Sequence, residues 1–513
     1  MNDVAGLLAP ASSLSEHPPL KIINPAKLAQ HERLSFLFKD SVVYGGAMAV
    51  SRAFSLITFP LVARHLSVAE YGTLDLFLVL AGFLVTTLIF GQDSAVGRFF
   101  YEYEDLEQRK QVISQSLVIQ AVVCLGAVVI LFLLSGRVAA LVSTADGSTR
   151  YFNIVLAQVP FTLAVNFAQN LLKWTFSRRA FLIMSIGYSA AQASGLAIAV
   201  FLFDVSTETV LVVNLITNML FGVLGLFMVR TWLVRPRSLY LARDLLRFAL
   251  PIGIICMLGA AVPMLERQSV EKLLGVEGLG LYAAGSKLAM LLTLVIGSFQ
   301  TAWAPFSTAI HREQDAAQTY NLVLGFFSLL VCVLTMMLDS VATPLLTLLA
   351  SQRYAGATVV VFPLAMATAV QSISWVTEIG IGLSKRTSRS VYPHLIYIAA
   401  IAGAMLLLVP LLGLAGAALS MMVAQILRSV TASWLAQRVY PLPWIYDWVV
   451  KVVACTFITG LVAHGILARW IGSWSVAPLY LLASTALCVY FWRRQLSSSA
   501  KMRIASMLSR ADK

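Results

Sequence analysis

The chain has 513 residues, of which 59% are hydrophobic and 12% are charged, and its mean hydropathy is +0.82. A soluble protein carries roughly 25% charged residues, so this composition excludes an ordinary soluble enzyme and indicates a membrane protein. The net charge of +13 is spread over short loops instead of being gathered with aromatic residues on one face, which argues against a nucleic-acid partner and favours anionic membrane lipids.

Apolar runs long enough to cross a membrane follow one another along most of the chain. A helical crossing needs roughly 20 apolar residues, and the runs predict an all-α integral membrane fold with about fourteen transmembrane helices. The predicted spans are 41–63, 73–90, 112–134, 151–172, 181–203, 209–229, 248–265, 281–299, 320–338, 357–383, 391–409, 414–434, 448–467 and 474–492. The stretch 341–350 either extends the ninth helix or lies at the interface.

The distribution of Lys and Arg predicts the orientation. These residues accumulate in the loops after even-numbered helices and in the tail at 493–513. Because cytoplasmic loops retain positive charge, we expect both termini in the cytoplasm of a bacterial cell with the protein in its inner membrane. Residues 1–38 lack a signal-peptide pattern and are predicted to be a cytoplasmic tail.

The sequence contains an internal duplication in which matching residues are 208 positions apart, as Leu66 and Leu274 are. Leu66-Ser67-Val68 falls on Leu274-Gly275-Val276, and Gly72 falls on Gly280. After the loss of one residue the match continues at 207 as far as Arg386 and then fades. A register that holds over such a length, with loops pairing with loops, indicates a true repeat.

This duplication defines the predicted domains. Residues 39–247 form one six-helix bundle and residues 248–440 a second bundle of the same orientation. Parallel repeats of this kind are typical of transporters in which two bundles rock around a central site. The helices in 441–492 stand outside the repeat.

Arg52 is a cation near the middle of the first predicted helix. Such a charge costs roughly 2.5 to 3.5 kcal/mol on insertion, so it should face a wet cavity or a partner. Polar residues share its helical face at steps of three and four, namely Ser41, Tyr44, Ser51, Ser55 and Thr58. Arg52 could grip a diphosphate bidentately or form a structural ion pair.

Two acidic residues within predicted spans are candidates for coupling transport to H⁺ or Na⁺. Glu378 lies in the apolar tenth helix, where desolvation would let it hold a proton. Asp93 ends a stripe on the second helix that contains Asp75, Gly82 and Thr86. It could pair with Arg52, bind the coupling ion, or lie at the interface beside Arg98.

Further polar residues within the spans complete the predicted lumen. Lys287 in the eighth helix and Arg428 in the twelfth could line it as cations or snorkel to the two interfaces. Asn166 and Asn170 share one face of the fourth helix and are candidates for contacts with sugars. The duplication does not repeat the predicted site, since Arg52 aligns with Ala260 and Glu378 with Leu171.

The segment FKDSVVYGGAMAVSRAFSLITFPLVARHLSVAEYGTLDL and the later GQDSAVGRFFYEYED resemble polysaccharide-biosynthesis flippases of the multidrug/oligosaccharidyl-lipid/polysaccharide exporter superfamily. The resemblance covers residues 39–492. It implies a V-shaped pair of bundles that moves an undecaprenyl-diphosphate-linked oligosaccharide from the cytoplasmic to the periplasmic leaflet for O-antigen, capsule or exopolysaccharide synthesis. It also implies a polymerase and glycosyltransferases as partners.

Two other transporter functions stay open, a lipid II flippase and a multidrug/cation antiporter of the same superfamily. A membrane polysaccharide polymerase or ligase is a more distant alternative. The longest loop predicted on the periplasmic side, 266–280, carries charges without catalytic spacing, and the sequence has no nucleotide-binding, metal-binding or hydrolase motif. We therefore expect a transporter that is not an enzyme and has no cofactor other than a coupling ion.

Overall fold

The structure, a computed structural model, describes residues 30–236, 240–311, 313–384, 387–464 and 476–494. Within these ranges the chain is helical and contains no β-strand, as the composition predicts. Nine of the described helices are long and apolar enough to cross a membrane. The all-α multi-pass fold is therefore confirmed, whereas the count of fourteen crossings stays a prediction.

Most helices follow the predicted spans closely. In chain order they are α1 (Gln30–Ala63), α2 (Val68–Ile89), α3 (Gln92–Glu102), α4 (Leu106–Leu133), α5 (Ser135–Val142), α6 (Ser148–Trp174), α7 (Arg178–Leu202), α8 (Thr207–Met228), α9 (Ala242–Ala289), α10 (Leu292–Ile310), α11 (Ala316–Ser340), α12 (Ala342–Leu349), α13 (Thr358–Thr377), α14 (Ile379–Leu383), α15 (Val391–Val439), α16 (Tyr446–Val462) and α17 (Val476–Arg494). The eighth predicted span, 281–299, is wrong because it crosses the break between α9 and α10.

Two of these helices are each interrupted by one glycine. α9 has 48 residues and α15 has 49, so each would be roughly 70 Å long if straight, about twice the thickness of a hydrocarbon core. Gly275 in α9 and Gly413 in α15 have φ of 76° and 57°, a left-handed conformation that glycine adopts without steric cost. α15 therefore contains two membrane-length segments, 391–412 and 414–439. In α9 the segment after the break, 276–289, is shorter than a membrane crossing and is followed closely by α10.

The predicted loop 266–280 is wrong. α9 continues through it as far as the break at Gly275, and Glu266 and Arg267 lie inside the protein instead of on a surface loop. Two adjacent charges lower the local hydropathy, which is why the seventh predicted span ended too early at Leu265. The stretch 341–350 forms the separate short helix α12 after a break at Val341.

The helix starts reveal the duplication beyond the point where the sequence match fades. Ser67 caps α2 with its side chain in a capping box with Glu70, and its repeat counterpart Gly275 occupies the same position before the second segment of α9. Ser206 caps α8, and Gly413, which is 207 residues later, breaks α15. The second half thus uses glycine where the first uses serine.

The two halves pack closely at one end, which we call the closed face. A Cβ added at Gly72 would lie 2.5 Å from the carbonyl oxygen of Val276. A Cβ added at Gly280 would collide with the carbonyl oxygen of Val68. Gly72 and Gly280 are repeat partners, as are Val68 and Val276. The pseudo-twofold axis therefore passes between α2 and α9, and only glycine allows this approach.

Side chains at the closed face form a second symmetric pair of contacts. Arg64, just after α1, donates to the carbonyl oxygen of Leu348 at the end of α12. Gln268 on α9 donates to that of Leu141 near the end of α5 at 2.7 Å. α5 and α12 are repeat partners of eight residues each, so each half caps the short helix of the other.

The helices outside the repeat attach to α11. The indole nitrogen of Trp448 on α16 donates to the carbonyl oxygen of Gly325 at 3.0 Å. The hydroxyl of Tyr480 on α17 donates to the carboxylate of Asp339 on α11 at 2.7 Å. His464, which follows α16, forms a hydrogen bond of 2.7 Å with the same carboxylate oxygen. These contacts hold α16 beside the second half, where it lines the groove described below.

Candidate functional site

A central cavity of about 470 Å³ lies between the two halves, below the closed face. Its walls come mainly from α2, α9, α13 and α15. Ionisable side chains converge on it from α2, α9 and α15, although it is surrounded by apolar spans. They are Asp75, Glu266, Arg267, Lys287, His394 and Arg428. Such residues in a membrane interior mark a site for ions or charged substrates.

Arg267 ties α2 to α9 at the top of this cavity. Its Nε donates to Asp75 at 3.1 Å, and its terminal nitrogen donates to Glu266 at 2.9 Å. The hydroxyl of Tyr397 on α15 donates to the second oxygen of Glu266 at 3.3 Å. Two carboxylates thus share one guanidinium, which leaves the ionised cluster with a net negative charge.

Arg428 and Glu378 form an ion pair on the opposite wall. The guanidinium of Arg428 lies 3.5 Å from the carboxylate of Glu378 and 3.3 Å from the hydroxyl of Ser374. Arg428 is buried and does not snorkel to an interface. The structure brings together two residues to which the sequence assigned separate roles, head-group binding for Arg428 and ion coupling for Glu378.

Lys287 differs from the other central cations. Within the described part of the chain it has no hydrogen bond and no ion pair, yet its side chain is partly buried and lines two cavities. The second of these, the connecting cavity of about 170 Å³, leads into the first half past Leu78. A partly buried ammonium without a partner among the described residues is a candidate site for an anion.

Beyond the connecting cavity lies the amide cavity, of about 320 Å³, enclosed by α2, α6, α7 and α8. Its polar side chains recur every four residues on three helices: Gln158, Thr162 and Asn166 on α6, Tyr188 and Gln192 on α7, and Asn214 and Asn218 on α8. None of its described lining residues is charged. Gln192 and Asn214 also line the connecting cavity, so the two spaces adjoin.

The second half has an apolar groove of about 620 Å³ instead of an amide cavity. It lies between α13, α15 and α16, and its walls include Met366, Val370, Val430, Trp434 and Phe457. Ser374, which accepts from Arg428, lines one end of it. The groove thus adjoins the ion pair of the central cavity.

The remaining predicted site residues lie in or near the first half. Asn166 lines the amide cavity, whereas Asn170, one turn further along, donates to Asp93 at 2.8 Å. Asp93 is therefore not paired with Arg98, whose guanidinium lies over the ring of Phe248. The side chain of Arg52 lies outside the described residues, and only its backbone in α1 is placed.

Several site residues escaped sequence reasoning. Glu266 and Arg267 were assigned to a loop, and Asp75 was placed in a stripe without a partner. The amides on α7 and α8 carried a usable signal, because Gln192 follows Tyr188 and Asn218 follows Asn214 by one helical turn. Polar residues at that spacing within apolar helices predict a shared wet face.

Similarity of fold defines the class of protein. The chain is similar to the lipid II flippase MurJ in its inward closed conformation, with a TM-score of 0.71 at 13% identity over 89% of this chain and all of that one. It is also similar to an inward-facing multidrug resistance MATE transporter, with a TM-score of 0.62 at 13% identity over 76% of this chain and 94% of that one. A further match is a transporter of the same superfamily from Pyrococcus furiosus, with a TM-score of 0.58 at 15% identity over 78% of this chain and 94% of that one. The fold is that of the multidrug/oligosaccharidyl-lipid/polysaccharide exporter superfamily.

Within that superfamily the sequence specifies the family. The chain belongs to the polysaccharide biosynthesis protein family, whose model matches residues 37–311. A comparison with curated protein sequences gives no match. The superfamily inferred from the opening segment is thus confirmed.

Proposed function

We propose that the protein is a flippase that moves an undecaprenyl-diphosphate-linked oligosaccharide across the bacterial inner membrane for polysaccharide synthesis. The observation that carries this proposal is the position of Lys287, a cation that has no partner among the described residues and lies at the junction of the central and connecting cavities. A diphosphate would supply the missing anion. Family membership supports a substrate used in polysaccharide synthesis.

The apolar groove supplies the second requirement of such a substrate. A polyprenyl chain needs an apolar path beside the polar lumen while its head group crosses the membrane. The groove faces the lipid through exposed residues such as Val430 and Val450 and adjoins Ser374, which bonds Arg428. The diphosphate would then lie between Lys287 and Arg428 with the chain in the groove.

The orientation and the energy source are parts of the same proposal. The closed face carries the turn after α1, so the loop charges put it on the periplasmic side. Substrate would enter from the cytoplasmic side, and opening of the closed face would release it. H⁺ or Na⁺ coupling would act through Glu378 beside Arg428 or Asp93 beside Asn170. Asp75 and Glu266, which share Arg267 at the central cavity, are two further candidates.

Translocation in proteoliposomes tests the proposal. The protein is reconstituted with a radiolabelled undecaprenyl-diphosphate oligosaccharide, and its appearance in the outer leaflet is measured with an added glycosidase. Lys287→Met should reduce the rate at least about tenfold, and Lys287→Arg should restore much of it, because about 1.4 kcal/mol of binding free energy is a factor of ten. Lys451→Met, which changes an exposed lysine paired with Asp447, is the control. Undiminished transport by Lys287→Met would refute the role of this cation.

A further inference from the structure

The amide cavity has a chemistry that neither the diphosphate nor the polyprenyl chain requires. It presents carboxamides, hydroxyls and one tyrosine ring, and its described lining is uncharged. Carboxamides both donate and accept hydrogen bonds, as sugar hydroxyls do. We propose that this cavity is the subsite for neutral sugar residues of the lipid-linked substrate, an inference that rests on the proposed function and adds the location and chemical class of its glycan.

The side-chain oxygen of Gln158 is a polar group in the cavity that no described residue satisfies. Gln158 is 6% exposed, and none of the residues that the structure describes donates a hydrogen bond to this oxygen. A buried acceptor in this state is costly unless something outside the protein supplies a donor. A sugar hydroxyl in the cavity would do so.

The other amides form a network that fixes the shape of the cavity and leaves bonding capacity free. Asn218 accepts from Thr162 at 3.0 Å and from Tyr188 at 3.3 Å, and Gln192 donates to Asn214 at 2.5 Å. The amide nitrogen of Asn166 donates to the carbonyl oxygen of Thr162 at 2.9 Å. Side chains held by such bonds are pre-organised for a ligand.

The repeat shows that helix packing does not require these amides. At an offset of 207 residues, Gln158 corresponds to Ala365 and Asn166 to Ile373. α13 therefore packs in the second half with apolar residues at both positions where α6 lines the cavity with amides. On α15, Asn214 corresponds to Met421, whereas Asn218 corresponds to another amide, Gln425. The polar lining of the first half serves something other than the shared fold.

The position of the cavity fits the covalent order of the substrate. The connecting cavity shares Lys287 with the central cavity and Gln192 and Asn214 with the amide cavity. A diphosphate at Lys287 would thus place the sugar attached to it at the entrance of the amide cavity. The polyprenyl chain would leave in the opposite direction, toward the apolar groove.

Binding of defined lipids by the full-length protein in nanodiscs tests the inference. The probes are undecaprenyl diphosphate without sugar and the same lipid carrying one to three neutral sugar residues, and native mass spectrometry gives the affinities. The wild type should bind the sugar-carrying lipids about tenfold more tightly. Gln158→Met with Asn166→Leu should remove that advantage and leave the affinity for the sugar-free lipid unchanged.

The matched control is Gln120→Met, which removes a buried amide on α4 that bonds Ser116 and does not line the amide cavity. It should keep the full advantage. Equal affinity of the wild type for both classes of lipid, or a double variant that weakens both equally, would overturn the glycan subsite. If the wild type binds neither class, the proposed function fails and the subsite fails with it.

A charged sugar distinguishes a neutral subsite from a merely polar one. A uronic acid in place of the first sugar would have to leave water for an uncharged cavity, which is unfavourable without a cationic partner. We expect it to bind no more tightly than the sugar-free lipid. Binding as tight as that of the neutral sugar would overturn the assignment to neutral sugars.

Discussion

The amide cavity of the first half and the apolar groove of the second half are formed by corresponding helices of one duplicated scaffold. α6 and α8 surround the first, and α13 and α15 form two walls of the second. The two compartments use different faces of these helices. Among the repeat counterparts of Asn166, Asn214 and Asn218, only Ile373 lines the groove, whereas Met421 and Gln425 line the central cavity. Divergence of the duplicated scaffold has thus placed an uncharged polar compartment in one half and an apolar one in the other.

The charged residues follow the same division. Glu378 and Arg428 belong to the second half, and at an offset of 207 their counterparts are Leu171 and Phe221. Arg267 reaches from α9 to Asp75 on α2 and therefore joins the halves. The glycine contacts at the closed face are symmetric, whereas the lumen is not. Symmetry is retained where the halves contact each other at the closed face and lost in the lumen.

The largest effect is expected from breaking the scaffold that both compartments share. A Cβ at Gly280 would overlap the carbonyl oxygen of Val68, which is backbone and cannot rotate away. Gly280→Ala should reduce the free energy of unfolding by about 3 kcal/mol or more, in the range of severe overpacking. Thermal unfolding followed by size-exclusion fluorescence measures this.

Gly126→Ala is the control for that experiment, because an added Cβ on α4 meets nothing within 4 Å. It should leave the melting temperature unchanged or slightly raised, since alanine favours helices. Equal stability of the two variants would show that α2 and α9 do not meet as closely as the structure indicates.

The second prediction concerns the ion pair at the mouth of the groove. Arg428→Met leaves Glu378 without its cation and should cost about 2 to 4 kcal/mol of stability, because a buried charge loses its partner. Glu378→Gln with Arg428→Met should recover most of that loss. A double-mutant cycle in thermal unfolding measures the coupling, and additive losses would show that the pair contributes nothing.

The same residue allows a test of ion coupling. Glu378→Gln should abolish the dependence of translocation on an imposed proton or sodium gradient. Asp93→Asn, the parallel variant in the first half, should keep that dependence. If gradient dependence persists in Glu378→Gln and disappears in Asp93→Asn, the coupling site lies beside Asn170 instead.

Much of the fold could be predicted from the sequence, because apolar runs and the repeat register depend on local composition. Contacts between side chains that are distant in the sequence could not be predicted. Asp75 and Arg267 are 192 residues apart, and hydropathy assigned Arg267 to a loop. The positions of Asn166 and Asn170 on one face were correct, but a single turn separates a cavity-lining amide from one that bonds Asp93. Side-chain partners depend on neighbouring helices that periodicity alone does not identify.

A smaller effect is expected when the groove is filled without a change in its polarity. Val430→Trp places a large apolar side chain in the groove and should weaken the binding of undecaprenyl diphosphate about tenfold. Geranyl diphosphate, whose chain is too short to need the groove, should bind as before. Leu427→Trp, on the same helix but outside the groove lining, is the control. Equal loss for both lipids would locate the chain elsewhere.

The smallest effect is expected at Tyr188, where the amide cavity offers both a hydroxyl and an aromatic ring. The hydroxyl donates to Asn218 over 3.3 Å, a long bond, and the ring packs edge-on against Phe221 with centroids 5.7 Å apart. Tyr188→Phe keeps the ring, so the affinity for sugar-carrying lipids should fall by about twofold or less. Tyr188→Leu also removes the flat apolar face and should weaken binding about two- to tenfold, as expected for aromatic contacts. Native mass spectrometry with the lipids described above gives both values. If Tyr188→Phe loses as much as Tyr188→Leu, the glycan is recognised at this position by hydrogen bonding and not by the ring.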